Sequence, residues 1–182
     1  MKGDIKLVDL EEKDLEMVRG WRNSPEVAAY MYSEKIIESE EQLAWFTRLK
    51  SDHTSRYWII QYNDKPLGVA NVTGINAQLE SGYWAFYLGD TTVRGGGIGA
   101  KVEFAVLNYV FDELKLNKLR CEVFTFNDKV IKMHEKFGFR REAYYREHCR
   151  KQGEFKDVVG LAMLKSEWVQ IRDVMRKKIY GE

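Results

Sequence analysis

The chain has 182 residues, a length that suits one domain with a normal core, taken here as residues 1–182. Apolar residues make up 45% and charged residues 31%, and 29 Lys plus Arg nearly balance 28 Asp plus Glu, for a formal charge of +1. That balance argues against binding nucleic acid through a global positive field, which needs a basic surplus or stripe. It leaves room for a local anion site.

The N-terminal segment MKGDIKLVDLEEKDLE has no apolar h-region, and no stretch approaches the roughly 18 apolar residues of a membrane span. A cytoplasmic protein without a membrane partner is expected. Cys121 and Cys149 form no CxxC or metal-ligand spacing and are expected to be reduced. His53, His134 and His148 offer no ligand pair, so no metal is expected.

Residues 4–9 alternate and predict a first strand. Residues 11–22 place Leu15, Val18 and Trp21/Arg22 on one helical face, and Asn23-Ser24-Pro25 ends that helix. Ser39 with Gln42 reads as a capping box, opening a helix that carries Leu43, Phe46 and Leu49 inward. Residues 56–62, 67–75 and 81–88 predict three strands, and their short connections favour an antiparallel meander. A glycine-rich segment then leads into a helix in which Val102, Ala105/Val106, Tyr109 and Val110 recur at helical spacing. Residues 118–126 predict a strand. Asn127 caps a helix that Gly138 ends. Residues 139–149 and 155–164 predict a hairpin. Ser166 caps a last helix with Trp168, Ile171, Met175 and Ile179 as its apolar stripe. This order predicts an α/β (α+β) fold, a mixed central sheet of about seven strands flanked by helices.

The strongest local feature is Arg94-Gly95-Gly96-Gly97-Ile98-Gly99, between a strand and a long helix. Glycines let the backbone approach a ligand, and a helix N-terminus offers free N–H groups and a positive dipole end. Together they suit an anion, most naturally a diphosphate. A Walker A loop fails, because Gly99-Ala100-Lys101 offers no Gly-Lys-Ser/Thr. A dinucleotide GxGxxA can be forced on Gly95, Gly97 and Ala100, but it belongs in a βαβ unit, and a meander precedes it here. The arginine-led RxxGxG loop remains, beside a plain glycine turn without a ligand.

On these residues the chain resembles the GNAT N-acetyltransferase superfamily. Arg94 to Gly99 matches its pyrophosphate loop. The segment from Asn127 to Phe139 resembles its second signature, N-x-x-A-x-x-x-Y-E-K-x-G-F. The resemblance implies the GNAT fold and acetyl-CoA, with Arg94, Gly95, Gly96, Gly97, Ile98, Gly99 and Asn127 binding it. Backbone groups of Phe86, Tyr87 and Leu88 would pair with pantetheine. The family often has Tyr where this chain has His134. The resemblance therefore implies that His134 either donates a proton to the leaving thiolate or packs against the cofactor.

Acetyl transfer to an amine needs a neutral amine, a polarised carbonyl and a thiolate that can leave. Glu122, within strand 118–126, is the candidate base. A solvent-facing strand position is its alternative, since Leu119, Cys121 and Val123 alternate with it. Glu80 is the second candidate, with an exposed turn residue as its alternative.

Trp21-Arg22-Asn23-Ser24-Pro25, then Met31-Tyr32, then Trp45-Phe46 resemble the sugar-nucleotide N-acetyltransferases of pseudaminic acid biosynthesis. This implies that Met31, Tyr32, Trp45, Tyr83 and Glu122 bind a UDP-linked 4-amino-4,6-dideoxy sugar, with core packing as the alternative. Three other readings stay open: a ribosomal-protein-type N-terminal acetyltransferase, a polyamine acetyltransferase, and a non-catalytic acetyl-CoA-binding regulatory domain. The C-terminal helix is expected to dock on the domain or on a second subunit, so a homodimer is among the expected assemblies.

Overall fold

The computed structural model describes residues 5–93 and 95–181. Strand β1 (Ile5–Asp9) is followed by a 3-10 turn (Glu12–Asp14) and by helices α1 (Leu15–Asn23), α2 (Pro25–Ala28) and α3 (Ser39–Leu49). The meander follows as β2 (Arg56–Tyr62), β3 (Lys65–Asn76) and β4 (Ser81–Leu88). Helix α4 (Ile98–Asn108) runs on into a π-helical turn (Tyr109–Glu113), then β5 (Lys118–Phe124) and α5 (Asp128–Lys136). The hairpin β6 (Arg140–Lys151) and β7 (Glu154–Leu164) and helix α6 (Lys165–Tyr180) complete the order.

The described residues form one mixed seven-stranded sheet, as the element order predicts, and its strands run in the order β1-β2-β3-β4-β5-β7-β6. Among the described residues only the β4–β5 contact is parallel. Both tight hairpins turn on left-handed residue pairs, Asn63/Asp64 and Gln152/Gly153, which match the right-handed twist of the flanking strands.

The parallel contact decides where a ligand can enter. β4 and β5 pair only at Ser81–Lys118, Gly82–Leu119 and Tyr83–Arg120. Beyond them β4 stays on β3 as far as Leu88, and β5 stays on β7 as far as Phe124. The strands part like a V. Its inner edges, Trp84–Leu88 and Cys121–Phe124, have no ladder partner across the gap. Backbone N–H and C=O groups seek partners, so this opening is a polar slot through the sheet.

Alternation along the strands sorts the two faces. Trp58, Ile60, Val72, Trp84, Leu119, Cys121 and Val123 belong to a large core with α4, α5 and α6. Trp168 and Met175 of α6 are buried there, and Ile171 and Ile179 pack against it, so the predicted stripe docks on the sheet. On the opposite face Ile59 and Val69 meet Val18 of α1, with Met17, Trp21, Tyr57 and Tyr87 around them. Trp21 lies so close to the backbone at Gly89 that a Cβ there would sit 2.1 Å from its ring. Only glycine allows that approach.

Several local expectations are corrected. Ser39 is the first helical residue of α3 and not its cap. Glu38 holds the cap position without a side-chain bond, and Ser39 Oγ donates to Glu16 Oε1 instead (2.9 Å). Gln42 and Phe46 face inward while Leu43 is exposed, because the helix is rotated by about one residue. Ser166 likewise lies inside α6. Leu164 precedes that helix, and its N–H donates to the Glu167 carboxylate (3.0 Å). Asn127 holds the cap position of α5 through its backbone carbonyl, not its side chain.

Candidate active site

Gly95, Gly96 and Gly97 all have left-handed φ (+108°, +57° and +77°), a run that side-chain-bearing residues rarely adopt. The turn they make delivers the chain to α4 with Gly97 at its cap. Ile98 N–H bonds back to Gly95 O, and Lys101 N–H to Gly97 O. Helix geometry leaves the amides of Gly97, Gly99 and Ala100 without an intrahelical acceptor. These N–H groups and the helix dipole suit a diphosphate. Gly99 also keeps the turn close to α5, since a Cβ there would stand 3.0 Å from Met133 Sδ. Arg94 lies outside the described residues. The loop opens beside the V-shaped slot, whose β4 edge carries Phe86, Tyr87 and Leu88. An anion cradle next to an unpaired strand edge fits coenzyme A, with its diphosphate and its two pantetheine amides.

On the opposite face of the sheet lies a cleft of about 390 Å³. Met31 and Trp45, both proposed from sequence, line it together with Phe86 and Tyr87. Trp45 meets Tyr57 edge to face at 5.1 Å. Burial raises the Tyr57 and Tyr87 phenols above their ordinary range, so both remain neutral. Arg22 enters the same cleft half-buried, and its guanidinium has no hydrogen bond or ion pair with any described residue. Burial pulls its pKa down, as expected for a cation lacking a carboxylate. Arg48 also lines the cleft, and Glu41, the carboxylate there, is tied to Lys35 at 2.8 Å.

Tyr32 and Glu122 meet across 90 positions of sequence: the phenol donates to Glu122 Oε2 at 2.8 Å. Burial first, and the Glu122 carboxylate second, push the Tyr32 pKa upward, so it acts as a fixed donor. The Tyr32 ring packs edge-on to Phe124 at 5.3 Å. Glu122 lies on the face opposite Cys121 and Val123, as the alternation implied; it is exposed there, and neither it nor Tyr32 lines the cleft. Tyr83 stands apart, with the Arg120 guanidinium stacked 4.0 Å over its ring. Glu80 is an exposed turn residue with left-handed φ (+46°), and its carbonyl accepts the N–H groups of Asn117 and Lys118.

His134 is 3% exposed and faces the α4 side of the sheet. Its Nδ1 is 2.8 Å from Glu103 Oε1, and its ring stands edge-on to Trp84 at 5.3 Å. Burial opposes the imidazolium, but Cys121 and the Glu103 carboxylate outweigh it and push its pKa up to about 10. Burial also raises Glu103. Both shifts have one meaning: at neutral pH the pair retains a proton between them.

Sequence reasoning missed several of these groups. Glu103 hides in an apolar helical run. His148, 3.9 Å from Glu122 Oε2, lies in a strand whose alternation is interrupted. Lys151 is buried, and its ammonium donates to Ala28 O (2.7 Å) and Met31 O (2.6 Å). It thereby pins the segment that presents Met31 and Tyr32. Arg22 stood in the Trp-Arg-Asn-Ser-Pro motif, which was the one available signal.

Residues 4–140 match the model of the acetyltransferase (GNAT) domain. The chain is 26% identical over 152 residues to acetyltransferase PseH of Campylobacter jejuni, covering 81% of this chain and 92% of that protein. It is 23% identical over 170 residues to spermidine N(1)-acetyltransferase of Vibrio cholerae, covering 93% and 98%. A crystal structure of spermidine N-acetyltransferase from Vibrio cholerae with CoA and spermine superposes with a TM-score of 0.86, at 22% identity, over 91% of this chain and 98% of that one. With the glycine loop, the slot between β4 and β5 and the family match together, this chain belongs to the GNAT acetyltransferases and is an acetyl-CoA-dependent N-acetyltransferase.

Proposed function

We propose that the acceptor is a nucleotide-linked amino-deoxy sugar of the UDP-4-amino-4,6-dideoxy type. One observation carries this reading: Arg22, a guanidinium without a partner among the described residues, in a cleft walled by Met31, Trp45, Tyr57 and Tyr87. A sugar nucleotide brings a diphosphate for the cation, and a flat base and a methyl-bearing ring for the aromatic and thioether walls. A polyamine brings only positive charge, which Arg22 and Arg48 would repel. The relation to acetyltransferase PseH and the Met31-Tyr32 resemblance support the same choice.

The proposed cofactor set is Arg94, Gly95, Gly96, Gly97, Ile98 and Gly99 for the diphosphate, and the backbone of Phe86, Tyr87 and Leu88 for pantetheine, with Asn127 and His134 alongside. When bound, acetyl-CoA supplies the thioester whose acetyl group passes to the amine. On the acceptor side, Glu122 takes the ammonium proton. Tyr32 holds Oε2, so Oε1 is free to face the amine. N–H groups on the open β4 edge are aimed into the slot, where an oxyanion would be stabilised. On the far side of the sheet, the proton kept by His134 and Glu103 is the source for the departing thiolate. Met31 and Trp45 in the cleft, with Tyr32 beside Glu122, hold the acceptor, and Tyr83, expected from the resemblance, stays under Arg120 outside it.

The test is coenzyme A release with a UDP-linked 4-amino-4,6-dideoxyhexose, spermidine and an N-terminal ribosomal-protein peptide. Turnover on the sugar nucleotide is expected. Turnover confined to spermidine or the peptide overturns the sugar assignment.

A further inference from the structure

β6 loses register with β7 between Tyr145 and Cys149, where Arg146, Glu147 and His148 together oppose Asp157. Glu147 takes a left-handed φ of +49° there. Asp157 clamps the bulge: Oδ1 accepts the Glu147 N–H (2.7 Å) and Oδ2 the Tyr144 hydroxyl (2.6 Å). A bulge re-aims a side chain, and one held in strained backbone by a dedicated carboxylate needs a reason. The residue it delivers is His148. Its Nε2 stands 3.9 Å from Glu122 Oε2, and its ring lies 5.8 Å from Tyr32 and 4.9 Å from Tyr145. Its side chain is 37% exposed, more open than the 28% of the Glu122 side chain, so it can pass a proton on to solvent.

We propose that His148 is a positioning and proton-relay residue that acts through Glu122, an inference that rests on reading Glu122 as the proton acceptor. As the acceptor ammonium loses its N–H, the electron pair stays on nitrogen for attack and an O–H forms on Glu122. That proton then moves to His148 Nε2, breaking the O–H and forming an N–H. The imidazolium releases it to water, and Glu122 is again a carboxylate. Rotation of the imidazole closes the 3.9 Å gap, as catalytic hydrogen bonds often tighten on binding. The other titratable groups facing His148 do not compete for this task. Tyr32 stays protonated as the donor to Glu122, Asp157 is occupied by the bulge, and Tyr145 and Cys149 flank it on its own strand. Imidazole is the side chain whose charge changes most readily near neutral pH.

The experiment is steady-state turnover with acetyl-CoA and the UDP-linked 4-amino-4,6-dideoxyhexose, or spermidine if that is the amine that turns over. His148→Gln should lower kcat roughly 100-fold, the lower end for proton-transfer groups, and leave the KM for acetyl-CoA unchanged. Added imidazole should restore His148→Ala. The double variant Glu122→Gln/His148→Gln should be no slower than Glu122→Gln alone. A slow Glu122→Gln beside a His148→Gln of full activity overturns the relay and leaves the base in place. A slowed His148→Ala that imidazole does not restore also overturns the relay. Full activity in Glu122→Gln overturns the reading of Glu122 itself.

Discussion

The buried Glu103–His134 pair makes the stability of this protein depend on pH in a calculable direction. Both groups have raised pKa values in the folded chain, and His134 moves from an ordinary 6.5 to about 10. Between those values the folded state binds a proton that the unfolded state releases. The contribution is therefore complete below about pH 6.5 and is lost as the pH rises through about 10. At 1.36 kcal/mol per tenfold change in proton affinity, the effect is on the order of a few kcal/mol. Replacing both partners, Glu103→Leu with His134→Phe, removes the linkage while keeping the site apolar. Glu103→Leu alone strands the imidazole beside Cys121 and should cost about 3–5 kcal/mol at pH 7. At this chain length that lowers Tm by about 10 °C. The assay is guanidinium unfolding at pH 7 and pH 9.5. The unsubstituted protein should lose several kcal/mol between the two, and the double variant far less. Equal losses in both would refute the shared proton.

Arg22→Gln should raise the KM for a nucleotide-linked acceptor about tenfold, a loss of ~1.4 kcal/mol, and weaken its salt dependence. The KM for acetyl-CoA should stay constant, and kinetics at two ionic strengths read both. Lys151→Met strands the carbonyl of Met31, while Ala28 O keeps the Met31 N–H, at about 1–3 kcal/mol. It should raise the acceptor KM with little change in cofactor binding, and urea unfolding with acceptor titration checks both. Gly89→Ala forces Trp21 from the β4 backbone, where a Cβ would stand 2.1 Å from its ring. Overpacking of this kind costs about 1–3 kcal/mol, and a shift in tryptophan emission should accompany the fall in Tm.

Much of the fold was legible because its signals are local. Gly95–Gly97 at a helix start and the alternation of β2, β3 and β4 depend on neighbours in sequence. The helix caps were less legible, since Ser39 and Ser166 carry the right chemistry one and two positions past the true caps. A tertiary partner, Glu16, draws Ser39 away, and a local one, Glu167, serves the start of α6 in place of Ser166. In the site, Glu122 stood out as a carboxylate within a strand. Its partner Tyr32 is 90 positions away, and no spacing rule joins them. His148 depends on a bulge whose cause is an aspartate on the neighbouring strand. Glu103 was hidden because a charge amid apolar helical positions reads as an interruption until its partner on α5 is known.

The place of β7 in the sheet bears on how the protein comes into being. It lies between β5 and β6, and the hairpin it forms carries both His148 and Lys151. The glycine loop and the slot edges lie within residues 81–138, a contiguous stretch made earlier in synthesis. Met31 and Tyr32 emerge earlier still, yet their anchor waits for Lys151. The growing chain thus makes the glycine loop before the lysine that anchors Met31 and Tyr32. If Met31 and Tyr32 hold the acceptor as proposed, an unfinished chain that lacks Lys151 presents them unanchored beside a glycine loop already made.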